Sequence, residues 1–174
     1  WSVRDALLAA HSRGVNVRLV VETEALDRDE IQALITAGIP TVNDRGNGLM
    51  HHKFVVIDRA EVWTGSMNLT VNGAYGNDNH LIHLQSTQIA ANYTHEFEEM
   101  YTDELFGAAS RPNDTPNPVI TLNNVRIENY FSPDDGVQDR IVSALNAAED
   151  SIYLLAYAFT ADPISGSLIA ARDR

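Results

Sequence analysis

The stretch that decides the fold reads Met50-His51-His52-Lys53-Phe54-Val55-Val56-Ile57-Asp58 and is followed by Glu61-Val62-Trp63-Thr64-Gly65-Ser66. Both pieces are rich in β-branched and aromatic residues, and the polar residues between them are typical of a turn, so they predict a β-hairpin. His51 and Lys53 are two residues apart and share one face of the strand, while His52 points to the other. Ser66 and Asn68 follow the return strand at the same spacing. The hairpin therefore gathers an imidazole, an ammonium, a hydroxyl and an amide at one end.

These four groups suit the recognition of a tetrahedral phosphoryl group. An imidazole serves as a nucleophile or a proton carrier near neutral pH. Lys, Ser and Asn side chains donate hydrogen bonds to anionic oxygens. Lys53 is the only lysine beside eleven arginines, which marks a position where a compact point charge matters more than a planar guanidinium.

Alternating helix and strand patterns surround the hairpin. Upstream, capping patterns and apolar spacing predict helices at 2–14 and 27–38 and strands at 15–21 and 39–42. Downstream, the same signals predict a strand at 79–84, a helix at 87–105, a strand at 125–131, a helix at 137–148, a buried apolar strand at 151–159 and a helix from 162 to the end. This order predicts an α/β fold, a mixed β-sheet flanked by helices on both faces.

The two ends of the chain resemble each other. Residues 164–174 align without gaps on residues 3–13, and both segments hold the same place in the order of strands and helices. Residues 108–118 hold three prolines and have the composition of a linker. We therefore expect residues 1–107 to be the back half of one module, 108–122 a linker, and 123–174 the front half of a second module.

Composition excludes several classes of protein. The chain has 174 residues and no cysteine, which rules out disulfide scaffolds, thiolate zinc sites and a cysteine nucleophile. The net charge is −12, which argues against a bulk electrostatic grip on nucleic acid or an anionic membrane. No apolar run reaches membrane-spanning length, so we expect no stable membrane insertion, and the first residues do not have the pattern of a signal peptide.

The spacing of the hairpin residues resembles the HKD signature of the phospholipase D superfamily, which includes phospholipases, metal-independent nucleases and phospholipid synthases. That spacing is His51-x-Lys53, four residues, Asp58, six residues, then Gly65-Ser66-Met67-Asn68. Asn77-Asp78-Asn79 resembles the stretch where many members carry Asn-Glu-Asn, and residues 125–174 resemble the opening of such a module. The resemblance implies the phospholipase D-like fold and a phosphodiesterase that needs neither a metal nor another cofactor.

The resemblance also implies roles for six residues. His51 matches the nucleophile that forms a phosphohistidine. Lys53, Ser66 and Asn68 match groups that bind the phosphate. Asp58 matches the signature aspartate, which we expect to orient and pair with other groups. Asp78 falls where many members have a glutamate that bonds the imidazole, and it is one methylene shorter.

In this superfamily two motifs meet across a two-fold axis, where one histidine attacks phosphorus and the other protonates the leaving oxygen. This sequence holds one such motif. We therefore expect a homodimer across the site that places His51 near its copy. Residues 123–174 would complete the fold either on their own chain, as in a circular permutation, or on the second copy, as in a domain swap.

The substrate is expected to be a phosphodiester, in nucleic acid or in a phospholipid headgroup. A nuclease-like activity is favoured because no lipid-binding amphipathic helix or apolar loop is evident near the motif. Arg45 and Arg59 flank the motif and would form a local positive patch.

Two alternatives from other classes stay open. The chain is a catalytically idle half-enzyme if no second imidazole reaches the site, or a metal-dependent hydrolase if the histidines hold a metal. The acidic residues at 96–104 are expected to form a solvated helix face. The aromatic residues at 93, 97 and 101 are expected in the core.

Overall fold

The computed structural model describes residues 2–46 and 48–174, apart from the side chain of Ser2. The helices are α1 (Ser2–Ser12), α2 (Asp29–Thr36), α3 (Val71–Tyr75), α4 (Thr87–Tyr101), α5 (Val137–Ala147) and α6 (Asp162–Arg172). The strands are β1 (Leu19–Val21), β2 (Thr41–Asn43), β3 (Phe54–Ile57), β4 (Glu61–Gly65), β5 (Leu81–Gln85), β6 (Val119–Leu122) and β7 (Val125–Glu128). Most predicted elements are therefore present but shorter, and the polar segment after Asn68, which its composition would predict to be a loop, contains the short helix α3.

The strands form three small sheets. β1 and β2 pair in parallel, β3, β4 and β5 form an antiparallel sheet in that order, and β6 and β7 form an antiparallel hairpin. The mixed α/β architecture predicted from the sequence is confirmed, although its strands do not join into one continuous sheet. Within residues 2–46 and 48–174, β1 and β3 each keep one edge without a strand partner.

Helix α4 holds the sheets together. It packs against β1 and against all three strands of the β3–β4–β5 sheet. The buried core combines Val62 of β4, Ile89 and Ala90 of α4, and Ile120 of β6. Ser86 caps the helix by accepting a hydrogen bond from the Ile89 amide at 3.3 Å, as a serine at this position commonly does.

The predicted linker is packed onto α4 through Asn92, which is fully buried. Its Nδ2 donates to the Asn117 carbonyl at 2.8 Å and to Asn129 Oδ1 at 2.9 Å. Its Oδ1 accepts from the Asn117 amide at 2.8 Å. Residues 117–129 therefore belong to the same packed body as the β3–β4 hairpin, and the division of the chain into two half-modules stays a prediction.

The prediction of a buried strand at 151–159 is wrong. These residues form neither helix nor strand, and Tyr153, Leu155 and Tyr157 are 94%, 101% and 108% exposed. An apolar strand becomes buried only when neighbouring strands offer it backbone edges and side-chain contacts. Here the flanking helices α5 and α6 pack chiefly on each other, so the segment gains no such neighbours.

The expected solvated acidic face of α4 is also wrong for two of its members. Glu96 and Glu99 are 5% and 2% exposed. Glu96 Oε1 lies 3.2 Å from Nε2 of His52, and Glu99 Oε1 accepts from the Arg111 amide at 3.2 Å. Burial raises the pKa of Glu99. These two glutamates are therefore buried because residues far away in the chain supply partners for their carboxylates.

Candidate active site

The β3–β4 hairpin brings three of the predicted site residues to one end. Phe54 pairs with Thr64 and Ile57 with Glu61, so His51 and Lys53 come just before β3 and Ser66 comes just after β4. Asp58 lies in the turn at the opposite end, with φ 51°. A four-residue strand spans about 13 Å, which keeps Asp58 away from the groups at the motif end.

His51 has an exposed side chain. The partial burial it has lowers the pKa of its imidazole, and the charges of Lys53 and His52 lower it further. A lowered pKa leaves more of the imidazole neutral at pH 7, which is the form that attacks an electrophile.

Lys53 points back along the chain beside the histidine. Its Nζ donates to the backbone oxygen of His51 at 2.6 Å. Burial lowers the pKa of this ammonium. An ammonium carries three protons, so two remain for other acceptors such as phosphate oxygens.

Ser66 is held by Asn79, which the sequence reasoning did not single out. The Ser66 hydroxyl donates to Asn79 Oδ1 at 2.9 Å and accepts from the His80 amide at 3.2 Å. Asn79 Nδ2 donates to the Gly73 carbonyl at 2.8 Å, which ties α3 to this end of the hairpin. The sequence signal for this residue is its place as the last member of Asn77-Asp78-Asn79.

Gly65 is required by the close approach of β4 and β5. A Cβ at this position would lie 2.3 Å from the His80 carbonyl oxygen, inside the van der Waals contact distance. Glycine therefore permits the neighbouring backbone to approach this closely.

Asn68 and Asp78 are exposed residues at the same end of the sheet. The Asn68 carbonyl accepts from the Thr70 amide at 2.8 Å, so the chain turns directly after it into α3. In the described part of the chain, no hydrogen bond joins Asp78 to His51. The expected contact between these two side chains stays a prediction.

Two carboxylates hold the backbone immediately before His51. The Met50 amide donates to Glu22 Oε2 at 2.8 Å and to Asp44 Oδ2 at 3.1 Å. Burial alone would raise the pKa of Asp44, but hydrogen bonds from Thr23, Gly46 and Met50 lower it to about 2. Burial raises the pKa of Glu22. Sequence reasoning missed both residues, which follow β1 and β2 at the carboxyl ends of the parallel pair.

His52 faces the interior, as the alternation predicted from the sequence implies. Its ring meets Phe131 edge-on at 5.7 Å and lies 5.9 Å from Phe54, while its Nε2 faces Glu96. His51 and His52 are therefore in different environments, and His51 is the more exposed of the two.

The expected positive patch of Arg45 and Arg59 is wrong. Arg45 forms an ion pair with Glu104, which neutralises its charge locally. Arg59 lies in the β3–β4 turn with Asp58, at the end of the hairpin away from His51. The sequence order placed both arginines near the motif, but the direction of β3 separates Arg59 from it.

Two other histidines, His83 and His95, have structural partners. His83 Nε2 lies 2.8 Å from Glu61 and its ring stacks on Trp63, and His95 Nε2 lies 2.7 Å from Asp114. Within residues 2–46 and 48–174, no group of three or more His, Asp or Glu side chains is arranged to hold a metal ion. None of the helices described is both long and apolar enough to cross a membrane.

Comparisons with known proteins place these residues in a family. Residues 1–101 match the family model described as cardiolipin synthase, PLD-like domain. The chain is 36% identical to the mitochondrial cardiolipin hydrolase of Xenopus tropicalis over 104 residues, which cover 59% of this chain and 50% of that protein. It is 33% identical to a phospholipase D of Rickettsia prowazekii over 97 residues, 52% of this chain and 45% of that one. The chain thus spans about half the length of the curated relatives it matches.

Solved structures include a similar chain. Nuc, a phospholipase D family member from Salmonella typhimurium, superimposes with a TM-score of 0.48 at 27% identity, covering 58% of this chain and 67% of that chain. The family model alone spans more than half of the residues and contains the whole hairpin with His51, Lys53 and Ser66. The chain therefore belongs to the PLD-like family that this model describes.

Proposed function

We propose that the protein is a metal-independent phosphodiesterase in which His51 is the nucleophile and a second copy completes the active site. The observation that carries this proposal is the gathering of His51, Lys53 and Ser66 at one end of the β3–β4 hairpin. The lowered pKa of His51 supports its role as an attacking group. The names of the relatives, cardiolipin hydrolase and phospholipase D, support the same reaction type.

The reaction then proceeds in two displacements. A ring nitrogen of His51 attacks phosphorus, forming a P–N bond as the P–O bond to the leaving group breaks. The protonated His51 of the second copy gives its proton to the leaving oxygen. That second imidazole next takes a proton from water, the water oxygen attacks phosphorus, and the P–N bond breaks to release the phosphate product and free His51.

The positions of the other groups suggest their parts in these steps. The two unused Lys53 protons would stabilise charge on the phosphate oxygens, with Asn68 as a further donor. The Ser66 hydroxyl gives its proton to Asn79 Oδ1 and would have to turn it to the phosphate to join them. Asn79 orients Ser66, and Glu22 with Asp44 fix the backbone before His51. Asp58 lies too far along β3 to touch the same phosphate, so an orienting role for it would act through the hairpin turn.

A phospholipid headgroup is the second candidate substrate, and one observation favours it over nucleic acid. Leu49, Leu69, Val71 and Tyr75 are exposed apolar residues of the segments that carry His51 and Asn68. The sequence pattern indicated no apolar loop near the motif, yet Leu49 lies two residues before His51 and Leu69 directly follows Asn68. An apolar rim suits acyl chains or a bilayer surface, whereas the net charge of −12 disfavours a polyanion.

Hydrolysis of bis(p-nitrophenyl) phosphate in EDTA tests the nucleophile. We expect His51→Asn to lower kcat by at least about 10³-fold, because the covalent route is lost. His83→Asn is the matched control, since His83 is an exposed histidine outside the site, and it should keep the wild-type rate. Equal losses in the two variants, or loss of wild-type activity in EDTA, would refute the proposal.

Mixing experiments test the second copy. When wild-type and His51→Asn chains are refolded together, a site that needs two His51 side chains gives activity that follows the square of the wild-type fraction. An equal mixture should then show about a quarter of the full rate. A rate of one half would mean that each chain works alone. Vesicles of anionic phospholipid and single-stranded DNA, assayed in parallel, decide between the two substrates.

A further inference from the structure

An open cavity separates the two sheets that α4 supports. It has a volume of about 450 Å³ and lies between β1 and β3. Its lining includes Leu19 and Val20 of β1, Val55 and Val56 of β3, and Phe97 and Met100 of α4. Helix α4 packs against both β1 and β3, so the strands share one floor. We call the space between their unpaired edges the slot.

Residues 151–159 are the most exposed apolar stretch described in the chain. They read Ser151-Ile152-Tyr153-Leu154-Leu155-Ala156-Tyr157-Ala158-Phe159 and carry no charge. Apolar side chains occupy both the odd and the even positions of this stretch, so both faces of a strand formed by it would be apolar. This is the pattern of a strand that is buried on both sides. In the part of the chain that the structure describes, residues 149–160 form no backbone hydrogen bond with the protein.

We propose that residues 151–159 of a second copy bind in the slot as a β-strand between β1 and β3. The slot offers two unpaired strand edges and mostly apolar walls, with Arg18, Asp58 and Arg59 also in its lining. The segment offers an unpaired backbone and uncharged side chains. A single chain holds both parts, yet its own segment remains exposed and its slot remains open. If two copies exchange this segment, each segment becomes buried and each slot becomes filled.

The likeness of α6 to α1 indicates how the strand would lie. Residues 151–159 lead into α6, whose sequence matches that of α1, and α1 leads into β1. A strand joined to β1 by a helix of this kind lies parallel and adjacent to β1. Leu7 of α1 also lines the slot, so α6 of the arriving copy must turn away at Thr160 and Ala161. A peptide that ends at Thr160 avoids this conflict and should compete with the whole segment.

Binding would reach the active site through β3. This strand begins only at Phe54, and His51 and Lys53 precede it without a strand partner. A strand on the free edge of β3 would supply backbone partners to residues 50–53 and hold both side chains in register. This consequence rests on the proposed function, whereas the binding itself does not.

Disulfide trapping tests the proposal, because the natural chain has no cysteine. Val20→Cys chains are mixed with chains carrying either Leu155→Cys or Ala156→Cys, which cover the two faces of the strand. Ile169→Cys is the matched control, an exposed apolar position on α6 outside the segment. We expect mixed dimers with position 155 or 156 at no less than tenfold the yield of the control. A peptide of residues 149–160 should suppress them.

Two results would overturn the proposal. Mixed dimers no more abundant than the control would exclude the slot as the binding place. A monomeric internal disulfide in the double variant Val20→Cys/Ala156→Cys, formed in dilute solution, would show that the segment closes on its own chain. Repeating the mixture in the His51→Asn background separates the two proposals, since the dimers should form there although hydrolysis is lost.

Discussion

Two parts of the molecule with similar sequences have very different surroundings. Helix α1 packs against α2, and β1, which follows it, pairs with β2 and ends in the buried Val21. Helix α6 aligns with α1 residue by residue, yet the apolar stretch before it is largely exposed. The difference lies in the neighbours, because β1 meets a second strand and α4, whereas residues 151–159 meet neither. An apolar strand pattern therefore shows that a segment can be buried in a sheet, and the neighbouring elements decide whether it is.

The same substitution, leucine to alanine, tests this difference in burial when it is made once in each part. Leu34→Ala removes a side chain that is 2% exposed on α2, and we expect it to lower the free energy of unfolding by about 3 kcal/mol. Leu155→Ala makes the same change where the side chain is 101% exposed. In the monomer it should change that free energy by less than about 0.5 kcal/mol.

Urea denaturation at pH 7, with light scattering to confirm the monomer, measures both variants. Comparable losses from Leu34→Ala and Leu155→Ala would mean that residues 151–159 are packed in solution, which contradicts their exposure in the fold. The wild-type denaturant dependence should be kept by both, since neither substitution alters the area exposed on unfolding by much.

A smaller expected effect concerns the pH dependence of stability, which arises from Asp44 at the carboxyl end of β2. Asp44 is fully buried and its pKa is lowered to about 2 from 3.8, so the folded state favours the ionised form. Its contribution of about 2 kcal/mol is complete above pH 4 and is lost as the pH falls from 4 through 2. Asp44→Asn should therefore destabilise the protein by about 2 kcal/mol at pH 7.

Denaturation at pH 7, 5 and 3 checks this linkage. The difference in free energy of unfolding between wild type and Asp44→Asn should be constant from pH 7 to 5 and smaller at pH 3. The exposed Asp150→Asn serves as the control and should show no such difference. A difference that does not change with pH would assign the loss to packing rather than to the ionised carboxylate.

The smallest expected effect is a loss of stability with rising pH, opposite in sign to that of Asp44, and it arises from Asp134. Burial raises the pKa of Asp134 to about 6 from 3.8, with the charges of Glu96 and Asp135 adding to it. Both carboxylate oxygens are buried without a hydrogen-bond partner among the described residues. The folded state therefore favours the protonated form, and its stability falls as the pH rises from 4 through 6.

Asp134→Asn removes this penalty. We expect the variant to be more stable than wild type by about 1 kcal/mol at pH 8, a value reduced for the partial exposure of the group. At pH 4 the two should be equal. Thermal unfolding at both pH values decides it, and a variant that is less stable at pH 8 would show that the carboxylate has an ionic partner.

Much of the site follows from the sequence alone. The spacing of His51, Lys53 and Ser66 requires only the two-residue period of a strand and a turn that reverses it. The register of β3 and β4 confirms the hairpin, while the roles of the three residues stay a prediction. Asn79, Glu22 and Asp44 escaped sequence reasoning, because their partners lie 13, 28 and 6 residues away and are brought close only by folding. Arg59 was misplaced for a related reason, since proximity in sequence hid the length of β3.

Local patterns were sufficient for the hairpin and most helices, because strand periodicity, caps and turns act over a few residues. They could not tell which acidic residues of α4 are buried, whether residues 151–159 have strand neighbours, or that β1 and β3 face each other across an open slot. Those outcomes depend on contacts between residues far apart in the chain. They were settled by packing on α4, since burial of a charge or an unpaired backbone is stable only where another element supplies the partner.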